Sequence, residues 1–260
     1  MSMRNSPLAF GLAILVVVAS QSAFADDSSI TIPILGGKPI IDGVWTSPQE
    51  WSQASLTSVN YTDGTQLVIK AKHDWNSLYV LLEMPDDYVS DGHGAICLDT
   101  LNDGGPYMNS DDYCIVLGSS LRAYRGDDRT TIMKNEFPIT QETEGARGLS
   151  GNNSPYGSRD HMSYEFKVPL KEYGQLATQY GMYITYDTRG QTDNYQHYYS
   201  WPDFDTASYL DAPSPRSWGK ISLSADADVP EFPIPLVGAV AGSVGIIAIF
   251  THRMFFKSID

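Results

Sequence analysis

The chain has 260 residues, with 17 basic and 31 acidic side chains and a formal net charge of −14. A surface of that sign is a poor partner for nucleic acid and for anionic lipid, and it leaves cations and neutral polar molecules as the better-suited ligands. The only two cysteines, Cys97 and Cys114, fit neither a C-x-x-C redox pair nor a zinc site, and in an exported domain they favour one structural disulfide.

In chain order, residues 1–25 read as a secretory signal: Arg4, an apolar run over 8–19, and Ala23-Phe24-Ala25 ahead of Asp26. An exposed lead follows over 26–37, and one β-domain is expected over 38–223. Pro39-Ile40-Ile41 suggests a short strand and Asp42-Gly43 a turn. Ser47-Pro48-Gln49-Glu50 has the form of a capping box and predicts a short helix to about Ala54, with Trp45 and Trp51 anchoring the segment. Residues 66–73 and 78–84 alternate around the turn Asp74-Trp75-Asn76-Ser77, which predicts a hairpin with one buried face.

Two short apolar runs, 95–98 and 113–117, each carry one cysteine. A Cys97–Cys114 disulfide closing this unit is worth about 3 kcal/mol on chain-entropy grounds. The loop between the runs is rich in oxygen donors, and calcium takes about 6–8 of them. Asp99, Asn102, Asp103, Asp111 and Asp112 are the candidate ligands, although their spacing is not that of an EF-hand. A solvated acidic loop is the competing reading.

Weaker strands are expected at 121–124 and 131–134, a long surface loop over 138–160, and an alternating strand over 161–169. A short helix over 169–176 and a strand over 182–187 follow. Residues 195–209 read as a loop crowded with aromatics: Tyr195, Tyr198, Tyr199, Trp201, Phe204 and Tyr209. Rings with an apolar face and a polar edge suit sugars. Trp201 and Trp218 are expected in the core, and Tyr199, Tyr209 and Trp75 at the surface. The last strand is expected over 218–223. Many short strands between turn signals predict an all-β, antiparallel, jelly-roll-like sandwich with one or two short helices.

Beyond a linker over 224–232, residues 233–250 carry no charge. A bilayer takes about 20 apolar residues, so 233–251 is expected to be a single transmembrane helix. His252, Arg253 and Lys257 in the tail 252–260 then place the C-terminus in the cytoplasm and the main domain at the cell surface. Without Arg4, Arg253, Lys257 and Asp260 the outer part is left with a charge of about −16. Asn60-Tyr61-Thr62 and Asn152-Asn153-Ser154 are glycosylation sequons.

The order of motifs resembles family 9 carbohydrate-binding modules and the related DOMON-like sandwiches. The motifs are Ile41-Asp42-Gly43 followed by Trp51, His73-Asp74-Trp75-Asn76-Ser77-Leu78-Tyr79-Val80, Ala95-Ile96-Cys97-Leu98-Asp99, Tyr164-Glu165-Phe166-Lys167-Val168-Pro169-Leu170, Ser200-Trp201-Pro202 and Trp218-Gly219-Lys220-Ile221. The resemblance spans about 40–223. It implies non-catalytic binding of a polysaccharide or surface glycan, a sugar held between two aromatic rings, and loops supported by calcium. Tyr209 stands near the position of one such ring. The second is expected just before the Asp-ending strand, where this chain has Ser90-Asp91-Gly92-His93 and His93 is the only ring. The candidate sugar-binding residues are therefore Tyr209, Tyr199, Trp75, Tyr198 and His93.

Two rival readings come from other classes. DOMON-like domains that hold haem give one, with Met84, His161 and Met162 as conceivable ligands; packing in alternating strands explains these residues equally well, and there is no C-x-x-C-H attachment. A structural surface protein without a small ligand is the other. No H-E-x-x-H, G-x-S-x-G or phosphate loop points to an enzyme. Finally, Val229-Pro230-Glu231-Phe232-Pro233 with the apolar span resembles the Pro-Glu-Phe type of archaeal sorting signal, which implies a membrane sorting enzyme as partner. The apolar Met254-Phe255-Phe256 departs from that pattern and favours permanent anchoring by the helix.

Overall fold

The computed structural model of the chain describes residues 28–226, apart from 89–90, 132, 158, 190–194 and 205–209. The expected signal, membrane helix and tail, and Tyr209, lie outside the described residues. Among the described residues no helix is long and apolar enough to cross a membrane.

The strands are β1 (Ser29–Pro33), β2 (Ser55–Asn60), β3 (Gln66–His73), β4 (Ser77–Glu83), β5 (His93–Asp99), β6 (Asp112–Leu117), β7 (Leu121–Arg125), β8 (Asn135–Phe137), β9 (Glu144–Ser150), β10 (His161–Pro169), β11 (Gln179–Arg189), β12 (Gln196–Trp201) and β13 (Gly219–Ser224). A single turn of helix, α1 (Leu170–Tyr173), follows β10. One sheet has the order β1-β13-β11-β5-β6-β7-β8, with β12 also on β11; the other has the order β2-β3-β4-β10-β9. Only β1 and β13 pair in parallel among the described strands. Along one edge of β11, residues 179–182 pair with β13 and 184–189 with β12, while β5 takes the other edge.

Period-two alternation sends one side-chain set of each strand into the space between the sheets. Leu67, Ile69, Val80, Leu82, Ile96, Leu98, Phe166, Val168, Met182 and Ile184 meet there. Each such side chain contributes roughly 1.5–3 kcal/mol through its burial. Trp201 lies in this core as expected.

Both outer faces are covered too. Every residue of β4 is buried, not one face only, because residues 35–54 lie across the smaller sheet with Trp45 and Trp51 packed on Tyr79 and Leu81. Glu165 of β10 fixes that cover. Its Oε2 accepts the backbone N–H groups of Asp42 and Gly43 at 3.0 and 2.9 Å, and its Oε1 accepts the Trp51 indole N–H at 2.9 Å. Gly43 has φ 88°, and a Cβ there would sit 2.4 Å from the Arg147 carbonyl carbon, so the corner admits only glycine. On the larger sheet the outer face carries Cys97, Cys114, Tyr124, Tyr183 and Trp218, with Phe204 and Leu210 packed against them. Cys97 and Cys114 are direct cross-strand partners joined by a disulfide.

Several elements differ from expectation. No strand forms at 39–41 and no helix at 47–54. The second segment is a run of turns, with the Glu50 N–H on the Ser47 carbonyl at 3.1 Å and the Ala54 N–H on the Trp51 carbonyl at 3.2 Å. Glu50 reaches back to the Thr46 N–H at 2.9 Å, one residue before the expected N-cap Ser47, so the contact that forms is not that of a capping box. β1 lies inside the expected lead because Ile30 and Ile32 alternate into the core. β9 lies inside the expected 138–160 loop. It is an edge strand of sequence EGARGLS whose pairing comes from β10, not from its own pattern. β12 takes up part of the expected aromatic loop, and residues 135–137, not 131–134, pair with β7.

Candidate ligand and cation sites

β5 ends at Asp99 and β6 begins at Asp112, and the two are direct cross-strand partners. Alternation puts them on the same outer face as the disulfide, two positions along each strand, so like charges stand opposite each other. The connecting loop folds back onto them. Asp99 accepts the N–H groups of Asp103 and Gly104 at 3.3 and 2.9 Å, and Asp111 accepts that of Leu101 at 3.2 Å. Asn102 enters through its backbone, its N–H on the Asp99 carbonyl at 3.4 Å. Asn109 ties the loop together, its side chain accepting the Asp111 N–H at 2.9 Å and donating to Asp103 at 3.3 Å.

One carboxylate oxygen from each of Asp99, Asp103 and Asp111 lies within 4.8 Å of the others. Asp112 is 1% exposed; its Oδ2 accepts the Asn109 N–H at 2.6 Å, and its Oδ1 has no hydrogen-bond partner. Burial, with the neighbouring carboxylates adding to it, raises Asp99 and Asp111 and pushes Asp112 up to about 8. Three mutually close carboxylates, with the orphaned buried oxygen of Asp112 next to Asp99, offer the oxygen donors that a hard divalent cation takes.

The opposite end of β5 carries the second site. His93, Asp187 of β11 and Tyr198 of β12 form one cross-strand row. Asp187 is 0% exposed and accepts three hydrogen bonds: from the His93 N–H at 2.7 Å, from the His93 Nδ1 at 3.0 Å and from the Gln196 amide. The buried carboxylate therefore sets the tautomer and orientation of the imidazole, with Nδ1 as the donor. His93 lines a recess of about 110 Å³ together with Val116, Ser119, Ser120, Arg122 and Tyr124. Gly118 admits the ring, since a Cβ there would lie 2.3 Å from the imidazole Cδ2. Tyr198 is half-buried beside Asp187.

The sequence candidates thus separate. His93 and Tyr198 share one corner. Tyr199 does not reach the surface: it is 7% exposed, its ring centroid lies 4.8 Å from that of Tyr61, and its hydroxyl donates to Asp63 at 3.0 Å. Alternation along β12 turns Tyr199 and Trp201 inward and Tyr198 outward. Trp75 is exposed as expected, at 38%, but it sits in the β3–β4 turn at the other end of the sandwich, against His73, whose Nε2 meets the Ser224 carbonyl at 2.9 Å. Leu210, next in the chain to Tyr209, packs on the outer-face cluster. Asp187, Gln196 and Arg122 escaped the sequence reading. Asp187 is the one acid of a strand rich in aromatic and apolar residues, and that was the available signal.

The rival haem ligands do not converge. Met84 and Met162 pack in the core, whereas His161 points to the other face and bonds the Arg159 carbonyl at 2.9 Å.

No family model matches the chain, and no curated protein does. Among solved structures, a carbohydrate-binding module of family 9 from Caldicellulosiruptor kristjanssonii, in complex with cellotriose, aligns at TM-score 0.52 and 20% identity over 79% of this chain and 100% of the module. The chain has a family 9-like fold. A candidate carbohydrate-binding protein of Bacteroides uniformis aligns less closely, at TM-score 0.46 and 12% identity over 76% of this chain and 99% of its own. The family 9-like sandwich thus agrees with the resemblance carried by the motifs, at an identity too low to transfer any residue's role.

Proposed function

We propose that this chain is a non-catalytic glycan-binding domain of the cell surface, anchored through residues 233–251. Its ligand sits on the outer face of the larger sheet at the His93–Asp187–Tyr198 corner, and a calcium ion occupies the 99–112 loop; Tyr209, which lies outside the described residues, is the further ring that the motif resemblance offers. One observation carries the glycan reading. Beside the disulfide and its aromatic cluster, one corner of the outer face holds an imidazole and an amide fixed by a fully buried carboxylate, with the half-buried Tyr198 in the neighbouring strand position. Sugar hydroxyls both donate and accept, and pre-oriented side chains of this kind bind them at low entropic cost. The family 9-like fold supports the same reading.

A glycan array probed with the full chain tests it. Retention of neutral oligosaccharides is expected, reduced by His93→Ala and by Tyr209→Ala; silence across the array contradicts the reading. A membrane sorting enzyme remains a proposed partner through Pro230-Glu231-Phe232. Release of the chain from membranes by detergent alone supports anchoring by the helix, and release only on backbone cleavage supports attachment by the enzyme.

A further inference from the structure

A cavity of about 470 Å³ lies away from both sites, over the outer face of the smaller sheet. Its walls are the turns over residues 36–40 and 46–53, and Lys72 of β3 also lines it. Glu50 holds the walls together: its carboxylate accepts the N–H of Ile40 at 2.9 Å, the N–H of Thr46 at 2.9 Å and the Thr46 hydroxyl at 2.8 Å. The walls are thus preformed.

Lys72 is 3% exposed, and its ammonium stands 5.3 Å from the centre of the Trp51 ring. It donates to one acceptor, the Glu50 carbonyl. An ammonium has three N–H groups, so two remain for the cavity. Burial pushes Lys72 down to about 8, with Glu50 opposing the shift and Lys70 adding to it, which is the signature of an incompletely solvated cation.

The lining decides the chemistry of the occupant. Ser47, Gln49 and Gln53 line the cavity, and their side chains make no hydrogen bond among the described residues. Such groups donate and accept equally, as hydroxyls do. Ile40, 63% exposed, adds an apolar wall. The Glu50 carboxylate and the acidic domain disfavour an anion. We propose that this cavity is a second binding site, for an uncharged polyhydroxylated ligand such as a mono- or disaccharide unit, with Lys72 donating to a ligand oxygen at its floor. Two saccharide sites on opposite faces would let one domain engage two chains or two segments of one chain, a gain that comes from effective concentration and not from new contacts.

The proposal stands apart from the His93 corner but shares its ligand class, so the test separates the two. The full chain is titrated with cellobiose and with glucuronate, as wild type, Lys72→Met, Gly37→Trp and His93→Ala. Lys72→Met keeps the apolar stem and removes the donors. Gly37→Trp fills the cavity from a position where an added Cβ meets nothing within 4 Å, so it keeps the test valid if the buried lysine variant folds poorly. The wild type is expected to take up cellobiose at two sites; Lys72→Met and Gly37→Trp each weaken one of the two about tenfold or more and leave the other, and His93→Ala leaves the lysine-sensitive site in place. Uptake abolished by His93→Ala alone supports the first site and overturns the second. Glucuronate bound in preference at the Lys72 site overturns the proposed class, and no lysine-sensitive uptake of either probe overturns the proposal.

Discussion

Glu165 shows how much one residue organises. Three N–H donors from residues 42, 43 and 51 converge on its carboxylate, which gives a physical reason for Ile41-Asp42-Gly43, Trp51 and Tyr164-Glu165-Phe166 to occur together. Burial pushes its carboxyl up to about 8 from the usual 4.5. A group raised in this way binds more protons folded than unfolded, so its contribution is complete below pH 4.5 and is lost as pH rises through about 8. Glu165→Gln turns an amide donor against one of the three N–H groups and is expected to cost about 1–3 kcal/mol. Urea unfolding from pH 5 to pH 8.5 should show the wild type losing stability relative to the variant, so that the gap narrows. A constant gap contradicts a buried, titrating Glu165. At this scale the sequence was only partly legible: Trp51 and Trp201 were readable as anchors, but the inward turn of Tyr199 depends on β12 being a strand, which its crowd of aromatics concealed.

At the scale of elements, the β5–β6 pair and its loop form a self-contained device. The disulfide joins cross-strand partners, and Cys97→Ala with Cys114→Ala is expected to cost about 3 kcal/mol, measured by denaturant unfolding. The cation claim has its own signature. After chelation, excess calcium should raise Tm by about 5–10 °C, the size expected when free ion is near a hundredfold over Kd in a domain of this length. Asp112→Asn should remove that rise and, without calcium, melt higher than the wild type, because it relieves repulsion between facing acids. A calcium response surviving Asp112→Asn and Asp99→Asn would place the ion elsewhere. The hairpin of β3 and β4 and the β5–β6 unit were legible because each carries its own alternation or apolar run. β2 and β9 were not: half-exposed edge strands take their pairing from the neighbour, and EGARGLS has no period to read.

For the whole molecule, the class of fold was legible and the strand order was not. Alternation reveals a buried face but not its partner, so nothing local announces that β1 joins β13 in parallel or that β11 serves three strands. The assembled sheets have two distinct ends. Ser224 at the end of β13, the Trp75 turn and the acidic loop share one end. The His93–Asp187–Tyr198 corner stands at the other, a β5 length or about 20 Å away. Under the proposed function, an anchor at the C-terminus presents the His93 corner outward and keeps the acidic loop near the membrane. The most direct measurement is calorimetric titration of the full chain with an oligosaccharide retained on the array, comparing wild type with His93→Ala, Asp187→Asn and Trp75→Ala. Saturable binding weakened about tenfold or more by the first two variants and unchanged by Trp75→Ala is the expected result. Binding lost on Trp75→Ala but insensitive to His93 and Asp187, or no binding at all, would contradict the account.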